Sequence, residues 1–504
     1  MNILRKMMML LVSFLLVEMS AGAQSVFRGV GKGISYDAEV QLTASSGLSP
    51  LWLNANKYGL SSVAGDNGYI RVGLFRSTRG DSARHWRIGY GLDLAAAYNF
   101  TGSFVVQQAY ADFEYKKVRL SVGSKERPAE LKNPELSSGS QTLGINARPV
   151  PMVRFELPEY ISLTGRSNWV GLKGHIGYGW MTDGRWQEDY VSAGAHYAKK
   201  ALFHSKAGYL RIGNEEKFPL VFEGGLEMAC LFGGTIYNAV GRTGVLAEPL
   251  QMGTGLGDII DATLGTGSDA TDGEYANAAG NTLGSWLLSL KYAGKDWSIR
   301  AYYDHYFEDH SQMFWEYGWR DGLIGAEVQL PKNRFVSSLV YEYLHTKHQS
   351  GPVYHDHTEA IPDQISAIDN YYNHNLYQGW QHWGQAFGNP LFTSPLYNPG
   401  HNLTFTGNRF IAHHFGLSGD PLPGLHYRLL YSYISGWGRY AVPFDDVKYT
   451  NSFLAEVSYA LPRVGRVDLR GWSVKAAFAL DRSTQIGNNT GFQLTISKTG
   501  FLTR

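Results

Sequence analysis

The sequence predicts an all-β fold, a transmembrane outer-membrane β-barrel of about 16–18 antiparallel strands with a small inserted or helical plug and long extracellular loops. Three observations predict it. Apolar and polar residues alternate with a period of two along much of the 504-residue chain; residues 1–23 read as a secretory signal peptide; and only 18% of side chains are charged while 14% are aromatic and 59 residues are glycine. Average usage is about 25% charged and roughly 7% Gly. The chain therefore lacks the charge that a solvated β-surface carries, without having a disordered composition.

Arg5 and Lys6 precede an apolar run from Met7 to Val17, followed by the small residues Ala21-Gly22-Ala23. A charged start, a short apolar core and an A-x-A site specify export and cleavage, and the run is shorter than the ~20 residues of a spanning helix. Residues 24–504 are then a single barrel domain. Removing the leader takes away Arg5, Lys6 and Glu18 and leaves no net charge. That balance offers no global field for nucleic acid or another polyanion. The mean hydropathy of −0.24 excludes a bundle of membrane helices, and Cys230, the only cysteine, excludes an intramolecular disulfide.

The strands follow in order. Tyr36, Ala38, Val40 and Leu42 alternate with Asp37, Glu39, Gln41 and Thr43; Trp86, Ile88, Tyr90, Leu92 and Leu94 with Arg87, Gly89, Gly91 and Asp93; Trp297, Ile299, Ala301 and Tyr303 with Ser298, Arg300, Tyr302 and Asp304. Near the C-terminus Phe453, Ala455, Val457 and Tyr459, then Val474, Ala476, Phe478 and Leu480, then Phe492, Leu494 and Ile496 repeat the pattern. Each segment has one apolar and one polar face. Two architectures give such strands, a soluble sandwich or propeller packed inward and a lipid-embedded barrel turned inside out. The barrel is favoured because apolar faces end in Tyr or Trp, as an interfacial girdle requires, while polar faces carry Gly, Ser, Gln and isolated charges.

Three segments break the alternation. Residues 124–151 contain Pro128, Pro134, Pro149 and Pro151 and read as an inserted plug or turn; residues 248–284 carry no Lys or Arg but include Asp258, Asp261, Asp269, Asp272 and Glu274; residues 348–408 again lack Lys and Arg and are dense in Asn, His, Tyr and Trp. Barrels place long loops on the extracellular side, and such loops are usually functional.

Within the third segment, Tyr371, Tyr372, Asn373, His374, Trp380, His382 and Trp383 combine aromatic faces with amide and imidazole groups. Sugar rings stack on aromatics and need donors and acceptors for their hydroxyls, so this is a candidate glycan-binding segment. The competing use is an interfacial belt or a loop packed in the lumen. The histidines of His355-Asp356-His357, of Asp304-His305 with Asp309-His310, and of His413-His414 lack zinc spacing, and adjacent histidines on a strand face opposite ways. The acidic segment lacks EF-hand spacing and reads as a solvated loop. Neither G-x-S-x-G nor a P-loop occurs, so catalytic, metal and cofactor roles are not expected.

Several motifs carry a resemblance: Pro50-Leu51-Trp52-Leu53 with Asn56-Lys57-Tyr58-Gly59-Leu60; Leu136-Ser137-Ser138-Gly139 with Asn146-Ala147-Arg148-Pro149-Val150-Pro151; Gly177-Tyr178-Gly179-Trp180-Met181-Thr182-Asp183-Gly184; Phe307-Glu308-Asp309-His310-Ser311; Gly379-Trp380-Gln381 with Gly388-Asn389-Pro390-Leu391; Asn408-Arg409 with Ala412-His413-His414; and Gly487-Asn488-Asn489-Thr490-Gly491. From about residue 34 onward the chain resembles capsule assembly proteins of the Wzi family, in the form seen in Bacteroidota. The resemblance implies an outer-membrane barrel of around 18 strands with a small helical plug, a non-enzymatic lectin holding capsular or exopolysaccharide at the cell surface. Its partners would be that polysaccharide, outer-membrane lipid and polysaccharide export machinery. Barrels of this kind often close on a terminal aromatic; this chain departs from that pattern by ending Phe501-Leu502-Thr503-Arg504, with Phe492 or Phe501 as the candidate substitute. Arg148 and Arg409 are candidates to meet acidic sugars or to make structural contacts across the lumen. The alternatives are an oligosaccharide porin or a secreted glycan-active β-protein.

Overall fold

The period-two segments pair edge to edge into one closed sheet. The computed structural model describes residues 31–502 except 82–84, 242–243, 246–247, 266–279, 309–312, 315–318, 356–357, 363–364, 366 and 466. The expected signal peptide, Asp269, Asp272, Glu274, Asp309, His310, Asp356 and His357 therefore lie outside the described residues.

Eighteen strands form the sheet: β1 (Ile34–Ser46), β2 (Asn67–Arg76), β3 (Trp86–Tyr98), β4 (Phe104–Tyr115), β5 (Val118–Ser124), β6 (Met152–Ser162), β7 (Val170–Trp180), β8 (Leu202–Ile212), β9 (Leu220–Phe232), β10 (Asn281–Ala293), β11 (Ser298–Glu308), β12 (Gly322–Gln329), β13 (Ser338–His345), β14 (Phe410–Leu422), β15 (Leu425–Gly438), β16 (Pro443–Ala460), β17 (Trp472–Ser483) and β18 (Asn489–Phe501). Each pairs antiparallel with its sequence neighbours, and β1 closes the barrel on β18 in a register running from Ser35 opposite Phe501 to Ser46 opposite Thr490. Closure leaves this sheet without an edge. The last strand thus reaches Phe501, which is exposed.

The inside-out reading holds residue by residue. In β1, Val40 and Leu42 are exposed while Gln41 and Thr43 are buried; in β3, Trp86 and Leu92 are exposed while Asp93 is fully buried. Outward aromatics gather at both strand ends. At one end, Trp86 and Tyr115 lie with ring centroids 4.5 Å apart, and Tyr292 and Trp297 lie 5.6 Å apart. Tyr98, Phe104, Trp180 and Tyr449 mark the other. No helix among the described residues is long and apolar enough to cross a membrane.

Connections alternate in length. Both ends of the closed sheet and turns such as Lys116-Lys117 and Pro423-Gly424 lie at one end, the periplasmic end by outer-membrane convention; the long connections β1–β2, β5–β6, β7–β8, β9–β10 and β13–β14 all leave from the other. The segments 47–66, 125–151 and 367–409 fold back into the lumen as a plug. Residues 125–151 contain no helix; the expected inserted element is an irregular chain, and the α-helices among the described residues are α1 (Leu51–Asn54), α2 (Gly184–Tyr190) and α3 (Leu256–Leu264). Four prolines and two glycines within this segment explain that choice.

One hydrophobic core joins plug to wall. It runs through Leu51, Trp52, Leu136, Tyr371, Tyr372, Trp380, Phe387 and Phe392 in the plug and Phe203, Tyr306, Leu344, Phe410 and Leu454 on the strands. Buried wall carboxylates accept the plug's polar hydrogens. Glu342 accepts from Ser137 Oγ (2.6 Å) and Ser138 N (2.7 Å), Asp304 from Gln141 N (3.2 Å), and Asp481 from Leu51 N (3.1 Å). A buried irregular chain needs such acceptors, because its backbone groups lack ladder partners.

Candidate functional site

The structure distributes the candidate glycan residues differently from an exposed recognition loop. Tyr371, Tyr372, Trp380 and His382 are fully buried in the plug. Tyr371 donates to Asp321 Oδ2 (2.9 Å), Tyr372 to the Gln141 carbonyl, and Trp380 Nε1 to the Thr142 carbonyl (2.8 Å). Their faces meet protein rings instead of solvent: Tyr372 stacks on Phe392 with centroids 3.9 Å apart, and Trp380 tilts against Phe387 at 5.1 Å. The physical reason is that a plug inside a wide barrel needs its own apolar core, and these are the largest side chains available. Asn373 is a brace, bonding the Phe405 carbonyl (3.0 Å) and accepting from Phe405 N (2.8 Å). His374 Nδ1 accepts from Leu376 N (3.1 Å), and burial pushes its imidazole down to about 4.

The motifs behind the family resemblance meet one another here. Asn146 accepts from Asn56 N (3.0 Å) and donates to the Ala386 carbonyl (3.1 Å); Asn389 donates to Ser138 Oγ (2.9 Å) and to the Gly139 carbonyl (3.1 Å); Asn56 donates to the Ser138 carbonyl (3.0 Å). At Gly59, φ is +68° and an added Cβ would collide with the Arg148 backbone, so only glycine fits the approach of these two plug strands of chain. These motifs are the adhesive of the plug.

Of the seven, Trp383 alone is a half-exposed aromatic. It sits at φ +55°, a left-handed conformation uncommon for a bulky residue, held by Trp383 N to Asp183 Oδ2 (3.0 Å) and Nε1 to Thr182 Oγ1 (3.0 Å). Around it lies a band of half-exposed rings that the sequence analysis did not select. Trp186 is 6.1 Å from Trp383 and stacks on Tyr190 at 4.8 Å; Tyr190 in turn stacks on the exposed His401 at 5.0 Å. Beside them Tyr197 and Tyr237 lie parallel at 4.8 Å, with Lys199 over both rings and paired to Glu188 at 2.6 Å. Trp186 and Tyr190 are spaced i, i+4 on α2, the one signal in the sequence that puts two rings on a common face. The remaining rings come from loops far apart in sequence.

The two arginines separate. Arg148 is 6% exposed and its guanidinium lies 4.3 Å from the Trp383 ring centroid; burial lowers it to about 10, opposed by Asp183, so it stays charged. Arg409 is half-exposed at the opposite rim, 3.6 Å from the Tyr440 ring, next to Lys347 over Trp437 at 3.8 Å. Both are cation–aromatic pairs, worth about 0.5–1 kcal/mol when exposed and more when desolvated. His414 faces inward, bonded to the Leu136 carbonyl (2.8 Å), while His413 faces outward against Tyr341 (3.0 Å), so the two cannot share an ion. Among the described residues no cluster of His, Cys, Asp or Glu is arranged to hold a metal.

No family model matches the chain, and no curated protein matches it. Among solved structures, Wzi from Escherichia coli, an outer-membrane protein involved in group 1 capsule assembly and described as a carbohydrate-binding β-barrel, aligns with a TM-score of 0.55 at 11% identity. The match covers 93% of this chain and 85% of that one. Its fold decides the class. This chain is an outer-membrane β-barrel. Two further neighbours from Pseudomonas aeruginosa, OccK5 and the outer-membrane protein OprD, give TM-scores of 0.44 and 0.43 at 10% and 11% identity, over 92% and 93% of this chain and 97% and 94% of theirs.

Between plug and wall, the barrel retains a cavity of about 280 Å³ against β5–β9. Arg119, Arg127, Arg154 and Lys173 line it with Glu156 and Glu130, and Phe203 and Phe387 close it towards the plug. Arg154 and Arg119 pair with Glu156 at 2.7 and 3.3 Å, and Lys173 with Glu130 at 2.7 Å. Arg148 also lines this cavity, so its guanidinium stands between the charged lumen and the Trp383 ring at the mouth.

Proposed function

We propose that this barrel is a non-enzymatic, lectin-like protein that attaches capsular or exopolysaccharide at the cell surface. The observation that carries the reading is the band Trp383, Trp186, Tyr190, His401, Tyr197 and Tyr237 at the extracellular mouth, above a plug whose hydrophobic core reaches the wall. Half-exposed rings with hydrogen-bonding neighbours suit pyranose faces and hydroxyls. The cationic pairs at Arg409 and Lys347 suit acidic sugars on the facing rim. The carbohydrate binding described for the Wzi neighbour agrees with this reading. In a cell with a surface polymer, the barrel would work downstream of the export machinery, retaining polymer already delivered.

Deleting the protein should leave polymer synthesis intact and release polymer into the medium. Unchanged retention on the cell would refute the reading. Conductance in planar bilayers separates it from an oligosaccharide channel: a lectin with this plug carries little ohmic current, whereas a sustained sugar-blockable current would assign the aromatic band to a transport path.

A further inference from the structure

The segment 250–265 leaves the extracellular mouth and returns to the outside of the barrel. Strand β8 alternates: Phe203, Ser205 and Tyr209 face the lumen, so His204 and Lys206 face outward, where an outer-membrane wall meets lipid. On β9, Met228, Cys230 and Phe232 share that outer face. A cation and an imidazole in a lipid-facing wall are expensive. Helix α3 covers Lys206 and bonds Tyr178, whose ring lies over His204 with centroids 4.6 Å apart. Its Ile259 and Ala262 pack on Leu202, Cys230 and Phe232, Thr263 Oγ1 bonds Tyr178 at 2.5 Å, and Lys206 Nζ donates to the Thr263 carbonyl.

The helix is oriented by its caps. At the start, Asp258 Oδ2 accepts from Gly255 N at 2.6 Å, and Gly253 and Thr254 adjoin Gly233 at the end of β9. At the end, Gly265 takes φ +71° and adjoins Met228, four residues inside that strand. A nine-residue helix is about 14 Å long, so α3 descends along the wall from the mouth. Lys206 meets its C-terminal turn, where the helix dipole favours a cation.

The face turned away from the barrel is apolar. Leu256, Ile260 and Leu264, at i, i+4 and i+8, are 57%, 55% and 63% exposed, and they continue the outward row of Ile176, Trp180 and Leu210 on the strands beneath. Asp261 lies to one side of the stripe and is exposed. Three faces, one to the barrel, one apolar and one acidic, suit a helix set into the outer leaflet beside a β-barrel. We propose that α3 is a membrane-inserted cover, its Leu256–Ile260–Leu264 stripe in the acyl chains of the outer leaflet, which shields His204 and Lys206 from lipid and tethers the extracellular sheet 197–199/234–237/250–252 at the membrane surface. That sheet carries the stacked Tyr197–Tyr237 pair, so the anchor fixes the height of part of the ring band above the bilayer.

The test uses the full barrel in phosphatidylcholine vesicles containing a nitroxide-labelled phosphatidylcholine. In a Cys230→Ala background, a bimane fluorophore is attached at Ile260→Cys, at Leu256→Cys, and at Ala193→Cys in the exposed extracellular turn, and folding is checked by heat-modifiable gel mobility. The expected result is strong quenching by lipid nitroxide and protection from aqueous iodide at 260 and 256, with the opposite at 193. Iodide access at 260 and 256 equal to that at 193, without nitroxide quenching, would overturn the proposal. If one helix variant fails to fold, the other gives the same readout.

Discussion

The guanidinium of Arg148 lies 4.3 Å from the centre of the Trp383 ring, and His382, the residue before that tryptophan, bonds the Arg148 carbonyl at 2.8 Å. A buried plug residue thereby fixes the pose of a half-exposed ring at the mouth. Arg148 Nε–H meets no acceptor among the described residues, so stacking is the main use of this side chain. Arg148→Lys should keep the charge and lose the planar stack. Polysaccharide retention should fall by roughly threefold to tenfold, about 1 kcal/mol, with heat-modifiable mobility unchanged. Retention equal to wild type would show that the pair does not set the ring's pose.

Single substitutions Trp186→Ala, Tyr190→Ala and Tyr237→Ala remove half-exposed rings without opening the plug. Each should weaken binding of the native polymer by about 0.5–1.5 kcal/mol, additively only for rings that do not touch. Trp186 and Tyr190 stack on each other, so their double variant should lose less than the sum. Binding isotherms on outer-membrane fractions would measure this; full additivity would indicate that the two rings act separately.

Trp380 is fully buried, with its indole N–H on the Thr142 carbonyl. Trp380→Ala should destabilise the plug by about 3–5 kcal/mol and produce intermittent channel openings in planar bilayers. A silent bilayer with native gel mobility would mean that the plug repacks.

Glu342 accepts from Ser137, Ser138 and Tyr302, at 2.6, 2.7 and 2.5 Å, while 1% exposed. Glu342→Ala leaves these donors unsatisfied and should destabilise the plug by about 3 kcal/mol or more. Protease nicking within 125–151 in intact outer membranes is the readout, and Glu342→Gln should rescue part of the loss.

The plug should also loosen in acid. His374 is pushed down to about 4 by burial, and burial lowers His382 as well, whose Nε2 accepts from Thr182 Oγ1 at 2.9 Å. An imidazole held neutral when folded binds fewer protons than in the unfolded chain, so stability rises with pH over this window. Its contribution is full above the ordinary histidine value near 6.5 and is lost as pH falls towards about 4. Near-UV circular dichroism from pH 7 to pH 4 should report loss of aromatic packing, reduced in His374→Asn.

Much of the barrel was legible because period two is a local property. Tyr36 to Thr43 and Trp86 to Leu94 declare two faces from neighbouring residues alone, and the three breaks at 124–151, 248–284 and 348–408 all fall at the long-loop end. The candidate site was less legible. The density of rings at 370–383 marks it as important, but the same residues satisfy both a sugar platform and a plug core. Burial separates those uses, and burial depends on what the other 47–66 and 125–151 segments do.

By itself the sequence determined the all-β class, the inside-out faces and the position of the loops, since alternation, turn residues and charge scarcity act over a few residues. Only the tertiary structure decided that Trp380, Tyr371 and Tyr372 fill the lumen, that Trp186, Tyr190 and His401 meet beside Trp383, and that Lys206 is covered by a helix about 50 residues later in the chain. The physical reason is the same in each case. Strand faces follow from local stereochemistry, whereas the filling of a closed barrel is set by volume and by hydrogen-bond partners supplied from distant segments.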